Sequence, residues 1–293
     1  MRIVTRLGLA FVLALAASPA ARAADGKIAV VAAENFNGDI ARQIGGDRVE
    51  VVSIMNNPDQ DPHLFEITPG IVRQIANAQV VIFNGADYDP WMDKLLKAAP
   101  RPGRLTINVA AITARKTGDN PHLWYDPSII IAVARALDAD FAKADRAHGK
   151  DYDMRLAAFE ASLKPIKDKI AAIRAKYAGA PVTATEPVFG LMTDALGLAM
   201  RNERFQLSIM NDTEPSARDV AVFEQDLKAR KVRVMFYNKQ ASNKIVLHLV
   251  ELARAAKVPV VGVTETAPPG LSFQDWMLGQ LNDTDKALAG PSS

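Results

Sequence analysis

The chain of 293 residues contains four histidines, and two of them sit in segments that echo each other, Asp61-Pro62-His63-Leu64-Phe65 and Asn120-Pro121-His122-Leu123-Trp124. Each segment runs within a few residues into a helix-start signal, Thr68-Pro69 and Asp126-Pro127, in which an oxygen side chain caps and proline takes the first helical position. The spacing predicts that His63 and His122 lie on short loops stiffened by proline and by a capped helix, a setting that can fix a ligand direction in advance. His148, between Arg146 and Lys150, reads as a surface residue, and His248, with Val246, Leu249 and Leu252 nearby, reads as core packing. Two carboxylates stand out for their position: Glu186 follows the β-branched run 182–185 and Glu265 follows 260–264. In open α/β sheets ligands bind at the carboxyl ends of strands.

Together His63, His122, Glu186 and Glu265 would make a site of two nitrogens and two carboxylates. Two carboxylates offset the charge of a divalent cation, and neutral imidazoles add bonds without further negative charge. A catalytic metal keeps one position open for water or substrate, whereas a site closed by protein atoms suits capture. The donor mixture suits manganese, iron and zinc. Asn35, just past the first strand, and Asn238, just past the strand at 232–237, are candidates for supporting such ligands. A metal-dependent hydrolase would use the same imidazoles with a water, but the chain has no His-Glu-x-x-His helix and no Gly-x-Ser-x-Gly elbow. A receptor for a metal chelate remains the alternative within the binding class.

The elements that must position these residues follow an α/β rhythm. Short β-branched runs at 28–33, 49–54, 80–84 and 106–109 read as buried strands, alternating with helical spacing at 71–78 and 91–98. The rhythm resumes with strands at 182–185, 232–237 and 260–263 and helices at 216–231 and 242–256, so each half is expected to be a mainly parallel sheet flanked by helices. Between them Leu156, Phe159, Leu163, Ile166, Ile170, Ile173 and Tyr177 recur at steps of three and four, the mark of one long amphipathic helix, with a kink expected at Pro165. Its opposite face carries Lys164, Lys167, Lys169, Arg174 and Lys176 and reads as solvated surface. The expected organisation is an export signal at 1–23, a first α/β lobe at 24–150, a linking helix at 151–178 and a second lobe at 179–293, with a disordered tail at 290–293.

Composition narrows the function. The signal reading rests on Arg2 and Arg6 ahead of the apolar run 7–17 and on Ala21-Arg22-Ala23 as a cleavage site, which predicts export of the mature protein. The whole chain has 35 Lys+Arg against 33 Asp+Glu; removing residues 1–23 takes away three arginines and no acid, leaving 32 against 33. A nucleic-acid partner has no electrostatic basis in that balance. Zero cysteines exclude a disulfide framework, thiolate metal clusters and a lipid-modified cysteine anchor. No run of about 18 apolar residues follows the leader, so the mature chain is expected to be soluble.

The string from Asp61 to Pro69 and the string from Asn120 to Pro127 resemble the two histidine motifs of the metal-specific solute-binding proteins of bacterial ABC importers for zinc and manganese, and the resemblance covers nearly the whole mature chain. Residues 182–198, with Glu186, Phe189 and Gly197-Leu198, resemble the family's third ligand segment, where zinc-type members usually carry His and manganese-type members Glu. Glu186 therefore tilts the resemblance toward manganese. Residues 263–266 lie where the family places an acidic ligand, commonly Asp; Glu265 is a departure. The segment 108–120 is short and lacks the His-rich loop of many zinc-type members. The resemblance implies two lobes joined by a long backbone helix, Mn2+ or Zn2+ held between them as transported cargo, a membrane permease as partner, a monomeric receptor and no catalysis.

Overall fold

The computed structural model describes residues 26–56, 65, 67–240 and 243–290. The first lobe holds strands β1 (Ile28–Glu34), β2 (Val49–Met55), β3 (Val80–Phe83) and β4 (Leu105–Asn108), all parallel, in the order β2-β1-β3-β4. Helices α1 (Asn35–Gly45), α2 (Pro69–Asn77), α3 (Trp91–Ala98), α4 (Val109–Ile112) and α5 (Pro127–Ala144) alternate with and follow these strands. Helices α6 (Gly149–Ser162) and α7 (Lys164–Tyr177) lead to the second lobe. There β5 (Pro181–Ala184), β6 (Ala199–Arg201), β7 (Val234–Asn238) and β8 (Val260–Val263) repeat the plan, parallel and in the order β6-β5-β7-β8. Its helices are α8 (Gly190–Ala195), α9 (Glu203–Met210), α10 (Ala217–Lys228), α11 (Lys244–Ala255) and α12 (Phe273–Ala289). No helix among the described residues is long and apolar enough to cross a membrane.

Both sheets are covered on both faces, which is why their strands read as unbroken apolar runs rather than alternations. Val30 and Ala32 of β1 face one core while Val31 and Ala33 face another, and in β7 Val234 and Phe236 are divided from Met235 in the same way. The core on the α5 and α12 side is continuous through both lobes, joining Trp124 and Phe141 of the first to Phe189, Phe236 and Trp276 of the second. Apolar material between the lobes therefore resists their separation.

The connector departs from the single kinked helix expected. The backbone leaves helical hydrogen bonding at Leu163 and restarts at Lys164, with Pro165 in the first turn of α7. Proline has no N–H to donate and its ring would clash with the carbonyl four residues earlier, so the helical ladder is interrupted at Leu163, which keeps right-handed helical angles (φ −79°, ψ −7°). The two pieces divide their packing: α6 lies on α1 and α5 of the first lobe, and α7 lies on α12 of the second. Strand β6 also escaped the pattern, because three residues, Ala-Met-Arg, at a sheet edge are too short for a periodic signal. His248 is a further correction. It points outward from α11, more than half exposed, with Nε2 3.1 Å from Glu224 Oε1, while Val246, Leu249, Val250 and Ala253 form the buried face. His148 is partly exposed and bonded to Asp145. The proposed export signal and residues 291–293 lie outside the described residues.

Candidate metal centre

Strand order builds the half of the site in the second lobe. β7 lies between β5 and β8, and Ala184 pairs with Phe236 while Asn238 pairs with Val263. Two residues on from these pairs, Glu186 comes level with Asn238, and Glu265 with Gln240. Asn238 Nδ2 donates to Glu186 Oε2 at 2.6 Å and to Glu265 Oε1 at 2.7 Å. Gln240 Oε1 accepts from the backbone N–H of Glu265 at 2.6 Å and of Thr266 at 3.1 Å, pinning the turn that presents Glu265.

The first lobe contributes His122 through its motif. Asp126 caps α5 by accepting from Ser128 N, with Pro127 at the first helical position, as the sequence requires. Asn84, just past β3, donates to the carbonyl of Pro121 at 2.7 Å and so ties the loop to the sheet. Asn120 Oδ1 accepts from the His122 backbone N–H at 3.0 Å and lies 2.7 Å from His122 Nδ1, while Asn120 Nδ2 donates to Pro187 O across the lobe boundary at 2.8 Å. A backbone donor fixes which end of that amide is oxygen, so Nδ1 must carry the imidazole proton. Nε2 then presents its lone pair, the state a ligand nitrogen needs. The rings of Tyr88 and Trp124 pack edge-on against the imidazole at 5.9 and 5.4 Å.

The two halves meet. His122, Glu186 and Glu265 each offer a donor atom, and these atoms lie within 4.8 Å of one another. His122 Nε2 is 3.9 Å from Glu265 Oε2, and the three residues are 0, 3 and 1% exposed. His63 lies outside the described residues, but the shoulder of its motif is described: Phe65 stacks on Trp91 at 4.2 Å, and Thr68 caps α2. Of the two asparagines singled out, Asn238 touches both carboxylates. Asn35 instead bonds Ala267 twice, Nδ2 to O at 2.7 Å and Oδ1 from N at 2.9 Å, two residues beyond Glu265.

Around this cluster stand groups the sequence reading passed over. Burial and the neighbouring Glu265 and Glu34 push the Tyr88 phenol well above its ordinary range. Glu34, at the carboxyl end of β1 and fully buried, is pushed well above the usual carboxylate range by desolvation and by Asp89. Burial raises Asp89 as well, but Asp89 accepts backbone N–H bonds from Asn84 at 2.7 Å and Gly85 at 2.8 Å, which oppose that rise and favour the neutral form on Glu34 rather than on Asp89. The strand-end rule that picked Glu186 and Glu265 applies equally to Glu34.

A two-lobed, doubly parallel α/β fold in which an imidazole and two carboxylates converge at the lobe boundary has the groups a divalent metal ion requires. The chain belongs to the family described as zinc-uptake complex component A, periplasmic, whose model matches residues 30–287. It is 24% identical over 246 residues to the manganese-binding lipoprotein MntA of Bacillus subtilis, covering 80% of this chain and 78% of that one. In three dimensions it resembles the periplasmic zinc-binding protein TroA of Treponema pallidum, with a TM-score of 0.74 at 21% identity over 90% of this chain and 99% of the other. It also resembles the Mn-bound periplasmic metal-binding protein of Candidatus Liberibacter asiaticus, with a TM-score of 0.72 at 16% identity over 88% and 98%.

Proposed function

We infer that the protein captures a divalent transition-metal ion outside the cytoplasmic membrane and delivers it to the permease of an ABC importer. The convergence of His122 Nε2 with carboxylate oxygens of Glu186 and Glu265 carries this reading. His63 is proposed as the fourth ligand, from a motif that parallels that of His122. The cargo is Zn2+ or Mn2+, the receptor acts in the periplasm as a monomer, and its role is transport rather than catalysis. Ligands this deeply buried, held from both lobes, suit a bare ion better than a bulky chelate. Release would follow when contact with the permease draws the lobes apart and splits the ligand set.

An ion that binds only the folded state raises stability by mass action, about 2.7 kcal/mol at a hundredfold excess over Kd. Both Zn2+ and Mn2+ are therefore expected to raise the melting temperature of the metal-free protein. His122→Ala is expected to abolish the shift while leaving the metal-free protein folded. A scan in which neither ion moves the transition, or in which His122→Ala responds like wild type, contradicts the reading.

A further inference from the structure

We propose that Asn120 and Tyr125 are positioning residues that latch the lobes together: they stand on either side of His122, they bond to the backbone beside Glu186 and Glu265, and both bonds must break before the lobes part and the ion leaves. The inference rests on the reading of His122, Glu186 and Glu265 as ligands and deepens it by assigning the barrier to release.

The loop that carries His122 is anchored in its own lobe by Asn84 Nδ2 on the Pro121 carbonyl at 2.7 Å and by the Asp126 cap of α5. It is bonded to the second lobe on both sides of the histidine. Two residues before His122, Asn120 Nδ2 donates to the carbonyl of Pro187, the neighbour of Glu186, at 2.8 Å. Three residues after it, the Tyr125 hydroxyl donates to the carbonyl of Thr264, the neighbour of Glu265, at 2.7 Å. The Gln280 amide lies 2.8 Å from the same hydroxyl, but an amide can turn to donate whereas a carbonyl can only accept, so the one phenol proton goes to Thr264. The Tyr125 ring is fully buried and packs on Phe189 at 5.0 Å and Trp276 at 5.9 Å, both in the second lobe.

Asn120 does its part only as an amide. Its Oδ1 accepts from the backbone N–H of His122 at 3.0 Å while its Nδ2 reaches across the boundary, and a carboxylate of the same shape could not donate. Gly190, at the start of α8, leaves the room: a Cβ there would come within 2.7 Å of Asn120 Nδ2, although its φ of −56° and ψ of −51° suit any residue. Each bond thus joins the stretch beside one ligand to the stretch beside another, and together they hold the three donor atoms within 4.8 Å. A motion that carries either glutamate away from His122 strains the latch. Holding the donors in place in advance spares the ion the cost of assembling them.

The test measures Zn2+ release by stopped-flow chelator exchange from wild type, Tyr125→Phe, Gly190→Ala and Tyr152→Phe, with metal-free melting as the check on folding. Tyr125→Phe keeps the ring and removes the hydroxyl. Gly190→Ala displaces the Asn120 amide without changing any charge. Tyr152→Phe is the control: it removes a buried phenol that bonds Asp145 at 3.0 Å within the first lobe. Expected is release faster by about three- to tenfold in each of the first two variants, the scale on which one hydrogen bond counts, with Tyr152→Phe at the wild-type rate. Wild-type rates in Tyr125→Phe and Gly190→Ala, or an equal acceleration in Tyr152→Phe, overturn the latch and leave these residues structural. Acceleration in only one of the two overturns the pairing of the bonds. Wild type that binds neither Zn2+ nor Mn2+ overturns the ligand reading itself.

Discussion

At the residue scale, the site shows how a buried charge set is made tolerable. Each donor is oriented by an amide that is itself oriented by backbone: Asn120 for His122, Asn238 for both glutamates, Gln240 for the Glu265 turn. Glu34 is held differently: burial and the neighbouring Asp89 push its carboxyl well above the usual range and favour its neutral form. A carboxyl whose folded pKa is raised stabilises the fold fully below the ordinary carboxylate range and loses that contribution as pH rises through the folded value. Glu34→Gln keeps the neutral hydrogen-bonding form at every pH. The metal-free variant is therefore expected to lose less melting temperature than wild type between about pH 5 and pH 8; parallel curves would mean that Glu34 carries no such proton. His122, Glu186 and Glu265 were legible because a repeated Pro-His motif and the ends of apolar runs mark them in one dimension. Gln240 and Tyr88 were not, since their relation to Glu265 exists only once register and loop packing are set.

At the element scale, α1 works as a polar seam between the lobes. Asn35, Asp39 and Gln43 recur every four residues and so share one helix face. They meet Ala267, the backbone N–H of Phe273 at 2.8 Å, and the Gln274 amide at 2.8–2.9 Å. The segment they hold begins two residues after Glu265, so the seam ties the chain just beyond that carboxylate to the first lobe. Asn35→Ala, which leaves both Ala267 backbone groups without their partner, is expected to cost about 1–3 kcal/mol of stability. It should also speed metal dissociation severalfold in stopped-flow chelator exchange; stability loss with an unchanged off-rate would confine Asn35 to a structural role. The buried strands were readable as apolar runs, and the caps at Thr68 and Asp126 as local signals. The seam was not, because polar side chains at a helical period look like ordinary surface until the second lobe lies on them. The broken connector was half legible: Pro165 announced a disturbance, but whether the chain bends or restarts depends on α6 and α7 packing on different lobes.

At the scale of the whole molecule, two lobes of the same strand order, β2-β1-β3-β4 and β6-β5-β7-β8, place their carboxyl edges at a common boundary and share one apolar core. On the proposed reading, in which His122 of the first lobe and Glu186 and Glu265 of the second hold the ion, ion binding and lobe contact become a single event. The two-lobe plan was legible from the return of the strand rhythm after residue 180; the shared core was not, since no local pattern says which apolar faces meet. The most direct measurement of the central claim is anomalous X-ray scattering from crystals of the protein loaded with Zn2+ or Mn2+. The account expects one strong peak between the lobes, about 2.0–2.3 Å from His122 Nε2 and from one oxygen each of Glu186 and Glu265. A peak elsewhere, or none at a saturating concentration of either ion, would contradict it.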